Sequence, residues 1–432
     1  MNDQSGTREY KLSRGYTNYI FILLFLLYFF DYVDRMVVTS LFPHIKEEWG
    51  ITDAQCGMLV SAIYWSIVLF TIPASVLVDR WSRKKTIGLM AVVWSIATAV
   101  CALTKNFGQL FAARCVIGIG EAGYAPGGTA MLAGLYPEEK RSRMMGIWNA
   151  SIPLGSAVGI ALGGIIAKEF GWRHAFGLVA LPGLIVAILF FFVKDYKTVD
   201  LVKTVKAGDE GKPKVRMNKM DVFREFIHTP SLIFTYFGFA AMTFVTTSLI
   251  TWLPTFFNRV HNIPMDQAGM KGGSVMLLAL VGAPVGGLLA DLWLKKRKNA
   301  RLLFSVIVAL LSAIFLATGL VFFNGNAQYI FILLMGLVVV AFVPAAAAVT
   351  QDVVHPGLRA ISYALCVIVQ NILGSSLGPI VVGSLSDNYD IQTALLVLPA
   401  FLVVAAVLFF IGSFFYERDL DKVEKVVLEA ES

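Results

Sequence analysis

Apolar runs separated by short polar connections repeat along nearly the whole chain, at about 18–41, 55–78, 86–104, 107–134, 145–167, 174–193, 230–257, 268–293, 301–323, 327–350, 358–384 and 391–416. Each is long enough to cross roughly 30 Å of hydrocarbon as a helix. The pattern therefore predicts an all-α integral membrane protein with twelve transmembrane helices. One long polar interruption, Lys194 to His228, carries Gly208, Gly211 and Pro213 among alternating charges and divides six spans from six. It reads as a solvated linker. The expected organisation is an N-terminal segment 1–17, a first six-helix bundle 18–193, a linker 194–229, a second bundle 230–416 and a tail 417–432.

The two halves resemble each other. Ser75 to Asp79, followed by Arg80, Arg83, Lys84 and Lys85, ends the second span. Gly287 to Asp291, followed by Lys295, Lys296 and Arg297, ends the eighth, 212 residues later. Leu154-Gly155-Ser156 with Gly159 and Gly164 returns as Leu373-Gly374-Ser375 with Gly378 and Gly383, an offset of 219. A duplicated six-helix unit requires such offsets, and transporters are commonly built from repeats of this kind.

Composition agrees with the pattern: 57% of the 432 residues are hydrophobic and 15% charged, with a mean hydropathy of +0.71. That excludes a soluble globular chain. Of 36 lysines and arginines, 28 fall on the loops that share a side with both termini, six on the opposite loops, and Arg35 and Arg114 within spans. By the positive-inside rule both termini are cytoplasmic, and the expected location is a bacterial inner membrane. The same asymmetry absorbs the net charge of +7, so no nucleic-acid partner is called for. Cys56, Cys101, Cys115 and Cys366 share no loop and read as free thiols.

Charge inside the membrane carries the functional signal. Asp31, Asp34 and Arg35 lie in the first span, Arg114 and Glu121 in the fourth. A charge at that depth costs at least roughly 2.5 kcal/mol, so such groups face protein or a watery cavity and serve a purpose there. At about 100° per residue the three in the first span share one side, and Arg114 and Glu121 fall within about 20° of each other. Three carboxylates against two guanidiniums suggest proton sites whose arginine partners can be drawn away. Asp34 and Glu121 are the expected proton carriers, with Asp31 accessory. Arg35 and Arg114 are the expected binders of an anionic substrate, since guanidinium stays charged and grips carboxylate or phosphate bidentately. In the second half Gln370 and Asn371 are the costliest polar groups to bury and are expected to touch substrate, with Thr247 and Asn149 accessory. A site charged on one wall and apolar on the other suits an organic anion, either amphipathic and lipid-like or a small carboxylate.

Asp79-Arg80-x-x-Arg83-Lys84-Lys85, with its fainter copy at Asp291, resembles the inter-helix motif of the major facilitator superfamily, and the resemblance extends over the whole chain. It implies two pseudo-symmetric six-helix bundles and a cytoplasmic latch between the second and eleventh spans, made by Asp79, Arg80 and Arg83 with Glu138 or Glu139, and echoed at Asp291. Ser75 stands where that motif usually begins with glycine. Tyr32-Val33-Asp34-Arg35 and Arg114-x(3)-Gly118-x-Gly120-Glu121 resemble both the spinster-like lipid transporters and the anion:cation symporters of sugar acids. Gln370-Asn371, Gly374, Gly378-Pro379, Gly383 and Asp387 resemble the spinster-like branch more. The implied activity is secondary transport by alternating access, proton-coupled, by a monomer, with no cofactor beyond the coupling proton.

Other functions lack their residues. Gly118 to Gly123 spells G-x-G-x-x-G but lies in an apolar helix with no strand before it, which excludes a dinucleotide site. The five histidines, His44, His174, His228, His261 and His355, lie in loops or at helix ends without metalloenzyme spacing. An enzyme is therefore not expected.

Overall fold

A computed structural model describes residues 13–136, 138–193, 226–355 and 358–423. Every expected span is helical. They are α1 Arg14–Val37, α2 Asp53–Arg80, α3 Arg83–Cys101, α4 in two segments, Phe107–Glu121 and Tyr124–Leu135, α5 Arg143–Phe170 and α6 Trp172–Phe191. The second half holds α7 Pro230–His261, α8 Met265–Leu294, α9 Ala300–Phe322, α10 Gly325–Asp352, α11 Ile361–Asn388 and α12 Ile391–Asp421. Ten of these are long and apolar enough to cross a membrane by length and hydropathy alone. The two outside that group are α1 and α4, which carry the buried charges. Most of the expected linker 194–229 lies outside the described residues, as do 1–12 and the end of the tail.

Prolines set where helices break. Pro126 has no N–H to give the Ala122 carbonyl, and α4 is interrupted immediately after Glu121. Pro344 withholds a donor from Val340 in the same way, and α10 is interrupted there, so the Val343 N–H bonds Val340 at 3.1 Å instead. The two prolines are 218 residues apart, so the duplicated unit carries its kink with it. In α11 Pro379 cannot bond Ser375, and Gln370–Ser375 is wound as a π-helix in which the Ser376 N–H reaches Asn371 O at 3.0 Å.

Glycines then set how close helices come. On α5, Gly155, Gly159 and Gly163 lie against the α1 backbone, and a Cβ at Gly159 would meet the Val33 carbonyl oxygen at 2.6 Å. The stripe read from sequence is thus the α1–α5 seam. Between the halves the extensive contacts are α2 with the second part of α11 and α5 with the first part of α8. Both lie at the end of the bundle remote from the termini, called the distal end below. At that end the short helix Phe42–Trp49 after α1 is clasped to α6 by Glu48, whose carboxylate accepts from both Arg173 guanidinium nitrogens at 2.7 Å and from the Trp172 indole at 2.8 Å. Arg173, followed by Trp172, holds the Glu48 carboxyl down to about 2. A depressed carboxyl stabilises above its unfolded value of about 4.3 and stops doing so as pH falls toward the folded value, so the clasp persists at neutral pH.

Gly159→Leu should force α1 and α5 apart and lower the melting temperature of the detergent-solubilised protein, by about 1–3 kcal/mol of overpacking. Gly177→Ala, with nothing within 4 Å of its Cβ position, should leave it unchanged.

Candidate functional site: a buried charge cluster between α1 and α4

Four residues separate Asp31 from Arg35, one helical turn, which brings their side chains together on α1. Arg35 Nη2 stands 3.0 Å from Asp31 Oδ2, and its Nε stands 2.8 Å from Glu121 Oε2. Glu121 ends the first segment of α4, at the break that Pro126 creates. One guanidinium therefore serves two buried carboxyl groups, one from α1 and one from α4. The side chains of both acids are 0% exposed and that of Arg35 is 10% exposed, so the cation is the group that a ligand can reach. Its guanidinium carbon lies over the Tyr32 ring at 4.7 Å and the Tyr64 ring at 6.0 Å.

Arg114 does not share this role. It is fully buried, donating from Nε to the Leu59 carbonyl at 2.5 Å and from Nη2 to the Arg35 carbonyl at 3.0 Å. In this structure it braces α1, α2 and α4 together. The seven residues from Arg114 to Glu121 leave them on one face but about 10 Å apart along the axis, too far to act on one ligand atom. Asp34 is also fully buried and points away from Arg35 toward Thr98 of α3. The Thr98 hydroxyl is turned onto the Trp94 carbonyl at 3.0 Å, and neither Asp34 oxygen has a hydrogen-bond partner. The position expected for Asp34, beside Arg35 and Glu121, is occupied by Asp31.

The second half places its candidates more loosely. Gln370 is half-buried, accepting from the Thr243 hydroxyl at 3.5 Å and donating to Cys366 Sγ at 3.1 Å. The side chain of Asn371 is half-buried, and its carbonyl receives the Ser376 hydroxyl at 2.5 Å. Thr247 is buried, and its carbonyl accepts from Thr251 at 2.7 Å. Asn149 is exposed just before α5 kinks at Ala150. None of the four contacts the charge cluster through a hydrogen bond.

The expected latch is described in one half only. The side chains of Asp79, Arg80, Arg83, Glu138 and Glu139 lie outside the described residues. Asp291 instead bonds Arg301 at 3.0 Å, and Arg301 also bonds Asp352 at 2.5 Å. These contacts join the ends of α8 and α10 to the start of α9, and among the described residues Asp291 makes no bond across the halves.

Sequence reasoning missed the aromatic wall around the cluster. Tyr28 stacks on Trp148 with ring centroids 4.3 Å apart and meets Tyr32 and Tyr124 at 5.4 Å each. Tyrosines one turn either side of a buried charge were the available signal. The four cysteines are all free.

The family model described as Major Facilitator Superfamily matches residues 24–379. The chain belongs to that superfamily. It is a multi-pass membrane transporter and not an enzyme. Similar proteins fall in both branches that its motifs resemble. The hexuronate transporter of Bacillus subtilis (strain 168) is 26% identical over 309 residues, covering 71% of this chain and 72% of that protein. Protein spinster homolog 1 of Xenopus laevis is 24% identical over 436 residues, covering 94% and 82%. A crystal structure of a bacterial homolog of the human lysosomal transporter Spinster, inward-facing and unoccupied, superposes with a TM-score of 0.81 at 21% identity, covering 94% of this chain and 99% of that one. The fold is that of a superfamily transporter.

Arg114→Lys should destabilise the protein by about 1–3 kcal/mol, because one ammonium cannot satisfy both buried carbonyls. Arg35→Lys keeps the positive charge but cannot bridge both carboxyls, so the folded variant should fail to transport. Thermal unfolding and uptake by the two variants, read side by side, check the division of labour.

Proposed function

We propose that the protein is a secondary active transporter that moves an organic anion by alternating access, driven by protons. The observation that carries this reading is the single Arg35 guanidinium shared by two buried carboxyls, Asp31 and Glu121. Two carboxyls gathered on one cation hold a proton between them, because two buried negative charges beside a single positive one cannot both persist in a poor dielectric. An anion entering the site competes for Arg35. As the guanidinium turns to it, the carboxyl pair loses its counter-ion, and uptake of a second proton restores neutrality. Anion and proton thus bind together and leave together, which is symport. Asp34, buried without a donor or a cation in contact, is the second proton carrier.

The substrate class follows from the two walls. Arg35 grips a carboxylate or a phosphate, while the second half carries its charged residues only toward the ends of its spans and is apolar between them. That contrast supports an amphipathic anion such as a lysolipid. The hexuronate transporter among its relatives supports the small sugar acid instead. Export by proton antiport, or facilitated diffusion of a lipid-like molecule, is the alternative mode, since the same acids serve either direction.

In proteoliposomes challenged with sugar acids, short carboxylates and lysophospholipids, one class should acidify the lumen; alkalinisation would mean antiport. Glu121→Gln should abolish pH-driven accumulation while sparing exchange of substrate down its gradient. Accumulation at the wild-type rate in that variant would remove Glu121 from the coupling.

A further inference from the structure

Lys46, Asp53, Arg259 and Ser386 read as ordinary loop and helix-end residues along the sequence, yet they meet Asp387 at one point on the distal end. Asp53 opens α2, beside the Thr52–Gln55 capping box. Its carboxylate is buried, 1% exposed, and accepts four hydrogen bonds from two halves of the molecule. Arg259 at the end of α7 donates from Nη1 to Oδ2 at 2.6 Å and from Nη2 to Oδ1 at 2.7 Å. Ser386 of α11 donates to Oδ2 at 2.7 Å, and Lys46 donates to Oδ1 at 2.7 Å. The neighbouring Asp387 reciprocates, taking the Asp53 N–H at 2.7 Å and the Ala54 N–H at 2.9 Å, so that α11 caps the start of α2 across the interface. Contact is close enough that a Cβ at Gly383 would lie 2.5 Å from the Asp53 carbonyl oxygen.

The internal duplication supplies a comparison within the same molecule. Asp266, at the start of α8, stands 213 residues after Asp53, and Asp387 stands 219 after Lys168 at the end of α5. The second equals the 219 offset of the repeated motifs and the first lies within one residue of the 212 offset. Lys168 and Asp266 form the counterpart contact across the other seam, α5 with α8, but it is one ion pair at 3.0 Å with side chains 50% and 17% exposed. Exposed single pairs contribute little, whereas a desolvated carboxylate with a bidentate arginine and further donors is costly to separate. The two seams occupy equivalent places and are pinned with unequal strength.

We infer that Asp53 is the gate residue that holds the distal end shut, and that the Lys168–Asp266 contact adds nothing to that closure. The distal end opens only when Arg259 and Ser386 leave Asp53 and Asp387 leaves the start of α2, so this one carboxylate sets the balance between the two faces of the transport cycle. The inference is independent of the substrate and of the coupling ion.

The test is a distance distribution by pulsed electron spin resonance in reconstituted protein, with spin labels at Lys105→Cys in the first half and Tyr389→Cys in the second, both exposed at the distal end. Cys115, the one native cysteine that is not buried, is replaced. The unaltered gate should give a single short-distance population. Asp53→Asn should add a longer one, with the closed-to-open ratio falling by about tenfold or more. Should that variant fail to fold, Arg259→Gln at its half-exposed position reads the same contact from the other half. Lys168→Gln should reproduce the parent distribution. A parent distribution from both Asp53→Asn and Arg259→Gln, or a shift in Lys168→Gln equal to theirs, would overturn the assignment.

Discussion

Charge in the membrane interior must be neutralised where it stands, and here one guanidinium does most of that. Arg35 lies between Asp31 and Glu121, its backbone carbonyl is held by Arg114, and its face rests on Tyr32. The break in α4 at Pro126 leaves Glu121 at a helix end, and the glycines of α5 let α1 sit close enough to keep the cluster enclosed. These features exist together because a charge of roughly 2.5 kcal/mol or more in cost is tolerable only when its partners are fixed. The arrangement is also what a transporter needs. A neutral cluster crosses between conformations cheaply, and a charged ligand can upset its balance only by bringing or displacing a proton.

The distal seam obeys the same electrostatics at the edge of the membrane. Asp53 gathers its cations and hydroxyl from both halves, so its neutralisation depends on the halves being together, whereas that of Arg35 lies wholly within the first. In the proposed cycle one cluster responds to ligand and the other to conformation. Their separation lets the site change charge without itself unlocking the gate, and the helices α2 and α11, which carry the gate residues, run from the distal end toward the middle of the bundle.

Much of the helical pattern was legible in the sequence. The apolar runs and the repeat offsets follow from hydropathy and two short motifs, and the charged residues of α1 and α4 announce themselves by the apolar context. The pairing within the cluster was less legible. Asp34 adjoins Arg35 in sequence and so points elsewhere around the helix, while Asp31, one turn away, is its ion-pair partner. Arg114 shares a face with Glu121, but angle alone conceals the two turns between them. The gate was not legible. Asp53 and Asp387 are 334 residues apart in sequence, and Lys46, Asp53 and Arg259 each look alone like a helix-end charge.

The most direct test of the shared proton needs no substrate. Infrared difference spectra of the purified protein at neutral pH, wild type against Asp31→Asn and against Glu121→Gln, report whether a carboxyl of this pair is protonated at rest. A protonated-carboxyl C=O band present in the wild type and lost or shifted in both variants is the result this account predicts. Carboxylate bands alone, for both residues, would contradict it and leave Arg35, Asp31 and Glu121 as a fixed ionic brace between α1 and α4.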